Sequence, residues 1–175
     1  MKQSTAMIGV VVLVAVAGAA ILMVGTARAA PVINLYMTDP PQYSEDVAAI
    51  NITFTSVELR AVGVNESWIT LMGNSTTINL LDIVNSSQKL GSFSVPAGNY
   101  TEIRFMVSTA VAVIGNETVV LGIPSGNQTG LKVHFASPLA LAAGASVNMT
   151  IDIRADNQGI HNGMLIPSMH ATITP

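Results

Sequence analysis

Val147-Asn148-Met149-Thr150-Ile151-Asp152-Ile153-Arg154 sets an apolar side chain at every second position and a polar one between. A repeat of two is the signature of a strand with one dry face and one wet face. The same rhythm holds in Leu131, Val133 and Phe135 around Lys132 and His134. It holds again in Ile103, Phe105 and Val107 around Arg104 and Met106. Similar runs lie near Val32–Thr38, Ala49–Arg60, Trp68–Met72, Thr77–Leu81, Ala110–Ile114, Thr118–Ile123 and Leu165–Thr174. Within Ala49–Arg60, Ile50, Ile52 and Phe54 share one parity while Val57 and Leu59 take the other, which predicts a bulge near Thr55–Ser56. Leu80–Val84 predicts one helical turn.

Turn chemistry separates these runs at Pro40-Pro41, Gly73-Asn74, Pro96-Ala97-Gly98-Asn99, Gly115-Asn116, Pro124-Ser125-Gly126-Asn127 and Ala143-Gly144. About ten short strands with frequent turns predict an all-β fold. The expected architecture is a single antiparallel β-sandwich of the Ig-like, Greek-key type over residues 30–175.

The first residues read differently. Lys2 precedes an uncharged apolar stretch, Ala6–Gly25, followed by Thr26-Ala27-Arg28-Ala29-Ala30-Pro31. Ala27 and Ala29 form the small-x-small pattern of signal peptidase, with cleavage before Ala30. The stretch is also long enough, at about 20 residues, to span a bilayer as an N-terminal hydrophobic helix. Residues 1–29 therefore predict a signal peptide or a signal anchor, and Lys2 favours a cytoplasmic amino terminus. Either way the remainder is expected outside the membrane, at the cell surface or beyond it; a retained helix would make the membrane itself a partner.

Composition narrows the function classes. Half of the residues are hydrophobic and only 10% are charged, which is not the balance of a disordered chain. Net charge is −3, or −5 once Lys2 and Arg28 leave with a cleaved leader. No basic run or stacked aromatic set points to nucleic acid. There are no cysteines, so no disulfide, thiolate metal site or cysteine nucleophile exists.

Eight of the twelve asparagines stand in Asn-x-Ser/Thr: Asn51, Asn65, Asn74, Asn85, Asn99, Asn116, Asn127 and Asn148. Chance pairing with the Ser and Thr present would give roughly two. Six of the eight fall in predicted turns, while Asn51 and Asn148 fall on the polar parity of strands. The surplus predicts N-linked glycans as partners of this surface. Dense acceptor sites, export and absent cysteine together point to an archaeal surface protein.

Chemistry-bearing residues are sparse. His134, His161 and His170 lack zinc-pair spacing. Asp39, Glu45 and Asp46 crowd the first loop with Tyr43 but lack the ladder of a calcium loop, and read as solvated carboxylates. Asp152, Arg154 and Asp156 read as a strand edge and its turn. No Gly-x-Ser-x-Gly elbow is present, and Gly126-Asn127-Gln128-Thr129-Gly130-Leu131-Lys132 fails the phosphate-loop pattern at Leu131. No catalytic, cofactor or metal residue is assigned, and no enzyme is expected.

Two segments carry a resemblance: Ile78-Asn79-Leu80-Leu81-Asp82 with Val95-Pro96-Ala97-Gly98-Asn99-Tyr100-Thr101-Glu102-Ile103-Arg104, and Ile123-Pro124-Ser125-Gly126-Asn127-Gln128-Thr129-Gly130-Leu131-Lys132. With Met37-Thr38-Asp39-Pro40-Pro41 and Ser67-Trp68-Ile69, they resemble domain-of-unknown-function family 4382 from about Val32 to Thr174. The resemblance implies an exported prokaryotic β-sandwich, often a lipoprotein, with no assigned activity. Here the lipobox cysteine is missing, so that anchor is ruled out.

Two non-enzymatic functions are expected to compete. One is a structural or adhesive surface component, self-associating into a coat or a filament, in which the strand near Pro31–Thr38 could complete a neighbour's sheet. The other is a displayed ligand- or carbohydrate-binding module, with Trp68, Tyr36, Tyr43 and Tyr100 as stacking faces. Against the second stands the usual fate of a sandwich tryptophan, which is the core.

Overall fold

The computed structural model describes residues 28–40, 43–63, 67–124, 126 and 128–175. The expected N-terminal helix over Ala6–Gly25, Ala27 of the cleavage motif, and the acceptors Asn65 and Asn127 lie outside the described residues. Among the described residues no helix is long and apolar enough to cross a membrane.

Two sheets pack face to face. The larger is built on β2 (Val47–Val62) and β6 (Gly98–Ile114), antiparallel from Val47 opposite Ile114 to Val62 opposite Asn99. β3 (Ser67–Met72) and β4 (Thr76–Asn79) pair with the outer side of β2, while β7 (Glu117–Val120) and β8 (Leu131–Leu141) pair with β6. The smaller sheet runs β10 (Pro167–Thr174), β9 (Ser146–Ala155), β1 (Val32–Thr38), β5 (Gln88–Ser94). An all-β sandwich results. One ladder in it is parallel: β1 runs alongside β9, from Val32 opposite Ser146 to Thr38 opposite Asp152.

The alternating apolar positions form the core as their period requires. Ile33, Leu35 and Met37 of β1 and Met149, Ile151 and Ile153 of β9 are fully buried against Ile50, Ile52, Phe54, Ile103 and Phe105 of the other sheet. Phe54 and Phe105 meet edge to face with centroids 5.4 Å apart, a geometry that adds to simple area burial.

The parity change in β2 is a bulge, and it has a counterpart. Register shifts between Thr53 and Phe54, where Ser108 of β6 is skipped, and again between Phe54 and Ser56, where Thr55 of β2 is skipped. One extra residue in each strand restores the alignment. The skipped side chains stitch the distortion: Ser108 Oγ donates to the Thr53 carbonyl at 3.4 Å and Thr55 Oγ1 to the Met106 carbonyl at 3.3 Å. The two runs expected as separate strands, Ile103–Val107 and Ala110–Ile114, are thus one strand bent at Ser108-Thr109. Here the Pro124 turn docks, with the Val107 N–H donating to the Gly126 carbonyl at 3.1 Å. Gly130, at φ +75°, passes so close that an added Cβ would stand 3.1 Å from the Phe105 carbonyl oxygen.

β5 does not follow the alternation. Its two apolar residues, Leu90 and Phe93, have opposite parity, reconciled by a register shift against Leu35 and Tyr36. Gly91 leaves room for the Phe93 ring, which an added Cβ would meet at 2.5 Å. The helical turn expected at Leu80–Val84 is a 3-10 turn, Leu80–Ile83, capped by Asn79 Oδ1, which accepts from Leu81 N. A short helix α1 (Asn157–His161) follows β9, capped by Asp156, which accepts from Gly159 N at 2.6 Å.

At the start of β6, the buried Tyr100 hydroxyl donates to the Pro96 carbonyl at 2.6 Å. This is the tyrosine corner of Greek-key sandwiches, in which a core ring reaches back to fasten the turn that precedes its strand. Burial raises the Tyr100 hydroxyl above its ordinary pKa, so it remains a donor. Tyr100→Phe should keep the ring packing and lose the hydrogen bond, lowering stability by about 1 kcal/mol and Tm by roughly 2–4 °C. Thermal unfolding checks this; an unchanged Tm would mean the corner holds nothing.

Candidate functional site

Lys and Arg number only seven in the chain: Lys2, Arg28, Arg60, Lys89, Arg104, Lys132 and Arg154. Three of them, Arg60, Arg104 and Lys132, converge on the outer face of the larger sheet. β-Pairing brings them together: Trp68 lies opposite Arg60, Arg60 opposite Glu102, and Glu102 opposite His134. One row further on, Thr70 faces Glu58, Glu58 faces Arg104, and Arg104 faces Lys132. Adjacent strands thus place opposite charges side by side.

The contacts are unequal. Glu58 Oε2 accepts from Arg104 Nε at 2.7 Å, and Glu58 Oε1 accepts from Ser56 Oγ at 3.2 Å. The guanidinium so fixed stacks 3.8 Å over the Trp68 ring, a close cation–π contact. Glu102 is more deeply set, with a side chain only 2% exposed. Around its carboxylate stand Arg60 NH1 at 3.4 Å, His134 Nδ1 at 3.8 Å and Lys132 Nζ at 3.9 Å. Its Oε1 accepts no hydrogen bond. Arg60, Ser67, Trp68, Arg104 and Lys132 line a shallow cavity of about 250 Å³. Among the described residues the lining therefore holds three cations, a hydroxyl and an indole, and the Glu58 and Glu102 carboxylates are not part of it.

Trp68 corrects the expectation of a core tryptophan. In β3 it is Ile69 and Leu71 that pack against the core, so Trp68 points to the other side. The core's large rings are Tyr100, Phe54 and Phe105 instead. Tyr36 likewise lies on an outer face, with Lys89 Nζ 5.8 Å from its ring centroid. The patch was missed in the sequence, although one signal was there: Glu58/Arg60, Glu102/Arg104 and Lys132/His134 are charged pairs at i and i+2 on three strands of a charge-poor chain.

Asp39 also departs from its sequence reading. It is not solvated but 1% exposed, because its backbone N–H bonds to the Ile83 carbonyl at 3.3 Å and its carbonyl accepts from Asn85 N at 3.3 Å, which draws the loop against the Leu80–Ile83 turn. Tyr43 donates to Asp39 Oδ2 at 2.5 Å, while Oδ1 accepts no hydrogen bond. Burial pushes its pKa up to about 6, against the lowering effect of the Tyr43 hydrogen bond; nearby Asp152 adds to the rise and Arg154 opposes it. Asp46, by contrast, is exposed and pairs with His161 Nε2 at 3.1 Å. The Asn157 carbonyl, and then Asp46, hold the His161 imidazole above its ordinary pKa. Asp152 pairs with Arg154 at 3.1 Å on the outer face of β9.

The described sugar-acceptor asparagines all lie outside the core. Asn74, Asn85, Asn99 and Asn116 are exposed, Asn85 in a turn at φ 56°. Asn51 and Asn148 are half-buried in mid-strand, and Asn148 Oδ1 accepts from Asn34 Nδ2 at 3.2 Å. Ala29 and Ala30 of the cleavage motif are exposed, and the Ala29 carbonyl accepts from Gly144 N at 2.6 Å. Among the described residues no three His, Asp or Glu side chains are grouped to hold a metal ion.

Asp39 gives the domain a pH dependence of definite sign. The folded chain holds this proton more tightly than the unfolded one, so the carboxyl's contribution to stability falls as pH rises from about 4 through about 6. Asp39→Asn removes that loss while keeping an acceptor for Tyr43. Its Tm should therefore gain on the wild type as pH goes from 4 to 7.5. A difference that stays constant over that range would contradict the assignment.

The sequence model of the family described as Domain of unknown function (DUF4382) matches residues 31–166, from the residue before β1 to the residue before β10. No curated protein and no solved structure matches the chain.

Proposed function

Starting from the premise that the chain belongs to the DUF4382 family, which brings no activity with it, we propose that it is a non-enzymatic, N-glycosylated cell-surface protein with a structural or adhesive role. The observation that carries this reading is the position of the acceptor asparagines. Four are exposed in turns or at a strand start, two stand on outer sheet faces, and no described one enters the core. Glycans attached there would shield a surface that has little charge of its own to keep it soluble. The targeting pattern of residues 1–29 is consistent with that location.

Assembly into a coat or filament is part of the reading. β1 is the first strand of the domain, and it sits between β5 and β9, which do not pair with each other. Were β1 exchanged between copies, each would refill its neighbour's sheet with the contacts it now makes itself.

A second reading, a displayed carbohydrate- or ligand-binding module, draws on one specific observation. Trp68 lines a cavity on the outer surface, where a ligand has access to it.

Peptide mass mapping of the protein from its native cells tests the first reading. Hexose-containing adducts are expected at Asn74, Asn85, Asn99 and Asn116, with lower occupancy at Asn51 and Asn148, whose mid-strand positions restrict access. Unmodified peptides at all of these asparagines would overturn it.

A further inference from the structure

We propose that the folded domain closes the bond at which its own leader is cut, so that the Ala29–Ala30 peptide is hydrolysed before folding and a chain that folds first keeps residues 1–29 as a membrane anchor. This rests on the targeting pattern of those residues; it does not depend on whether the asparagines carry glycans.

The main chain on both sides of that bond is gripped by one turn. Ala142–Ala145 reverses the chain between β8 and β9, with the Ala145 N–H donating to the Ala142 carbonyl at 3.0 Å. Gly144 stands in it at φ +82°, the positive value that the third position of a type II turn takes. From this turn the Gly144 N–H donates to the Ala29 carbonyl at 2.6 Å, and the Ala145 carbonyl accepts from the Val32 N–H at 2.9 Å. The residue just before the bond and the third residue after it are thus held together. From the β5 side, the Val95 N–H donates to the Pro31 carbonyl at 3.0 Å.

Burial completes the closure. The Ala29 and Ala30 side chains are exposed, but Pro31 is buried, and from Val32 the chain runs as β1 between β5 and β9. One residue, Ala30, separates the bond from the packed interior. A peptidase that takes its substrate as an added strand needs free main-chain donors and acceptors on both sides of the bond. Here the Ala29 and Pro31 carbonyls and the Val32 N–H are already taken up by the domain. The methyl groups of the small-x-small pattern stay in view while the main chain that must be gripped does not.

The chemistry of the cut meets the same obstacle. Hydrolysis adds the water oxygen to the Ala29 carbonyl carbon, breaks that carbon's bond to the Ala30 nitrogen and passes both water protons to the nitrogen, leaving a carboxylate and an ammonium. In the transition state the Ala29 oxygen carries the developing charge and must face the peptidase's oxyanion donors. In the folded chain it faces Gly144 instead. Cutting the folded chain therefore needs local opening first, and its rate follows the population of the opened form. The Gly144–Ala29 and Val95–Pro31 bonds each hold the closed form by a factor of about five, and the burial of Pro31 adds to that. Gly144 lies more than a hundred residues beyond Ala29, so the bond stays open until the β8–β9 turn has been exported.

The full-length protein, folded in detergent micelles, would be incubated with purified signal peptidase. Beside it would stand a synthetic peptide of residues 18–36 and a full-length variant with a short Gly-Ser spacer inserted between Ala30 and Pro31, which carries the bond away from the fold. The wild-type chain should be cut at least about 30-fold more slowly than the peptide, and the spacer variant within about threefold of it. Amide exchange at Gly144 of the wild type should be slowed. Equal cutting of wild type and spacer variant, fast or slow, would overturn the proposal, as would an unprotected Gly144 amide. A peptide left uncut would overturn it together with the cleaved-leader reading, while a retained anchor and the surface location would stand. None of these results bears on the mass map of the asparagines.

Discussion

The ladder between β2 and β6 is the constraint on which the rest of this domain depends. Both strands are long, 16 and 17 residues, and each pairs with two shorter strands besides the other. A flat ladder of that length would twist away from the smaller sheet. Two of its four register shifts are a pair of bulges at its centre, one in each strand and offset by a single residue, which let the ladder bend there without a net change of register. Phe54 sits at the turning point and meets Phe105 there. The bend also opens the edge of β6 between β7 and β8, where Gly126 and Gly130 bring their loop onto Val107 and Phe105. Glycines in this loop reflect a requirement for close approach of backbone to backbone.

How far the fold could be read in advance follows from where the two-residue period survives. It survives in β1, β2, β9, β10 and the first half of β8, and those stretches are legible. The bulge in β2 was visible because Phe54 and Val57 cannot share a face without one. Its partner in β6 was not, because Ile103–Val107 and Ala110–Ile114 read as separate runs when the opposite strand is unknown. β5 was illegible for a related reason: Leu90 and Phe93 contradict each other's parity, and only the bulge against β1 reconciles them. The tyrosine corner explains why Pro96-Ala97-Gly98-Asn99-Tyr100 is recognisable as a segment, yet the hydrogen bond from Tyr100 to Pro96 spans a loop whose shape sequence alone does not give.

The outer surfaces were harder to read than the core. Turn signals, and strand parity for Asn51 and Asn148, assigned the acceptor asparagines to the outside, and the described ones are there. The same parity, applied to Ile69 and Leu71, puts Trp68 outside as well, but a general expectation about tryptophans in sandwiches outweighed it. Asp39 illustrates the opposite failure. A carboxylate between a strand and a Pro-Pro turn looks solvated until its own backbone pairs with Ile83 and Asn85, far along the chain. An interaction between segments far apart in the chain decides the case of Asp39, and it has no periodic trace.

The parallel pairing of β1 with β9 has a kinetic consequence. Asn34 and its partner Asn148 are 114 positions apart, so closing this ladder spans most of the domain. Synthesis delivers β1 first and β9 almost last. Until β9 arrives, Ile33, Leu35 and Met37 have only the β5 ladder beside them and an open edge opposite. Such a topology folds slowly and leaves an adhesive strand exposed while it waits. A chaperone that holds the nascent amino-terminal strand would act at the point where this architecture is most vulnerable.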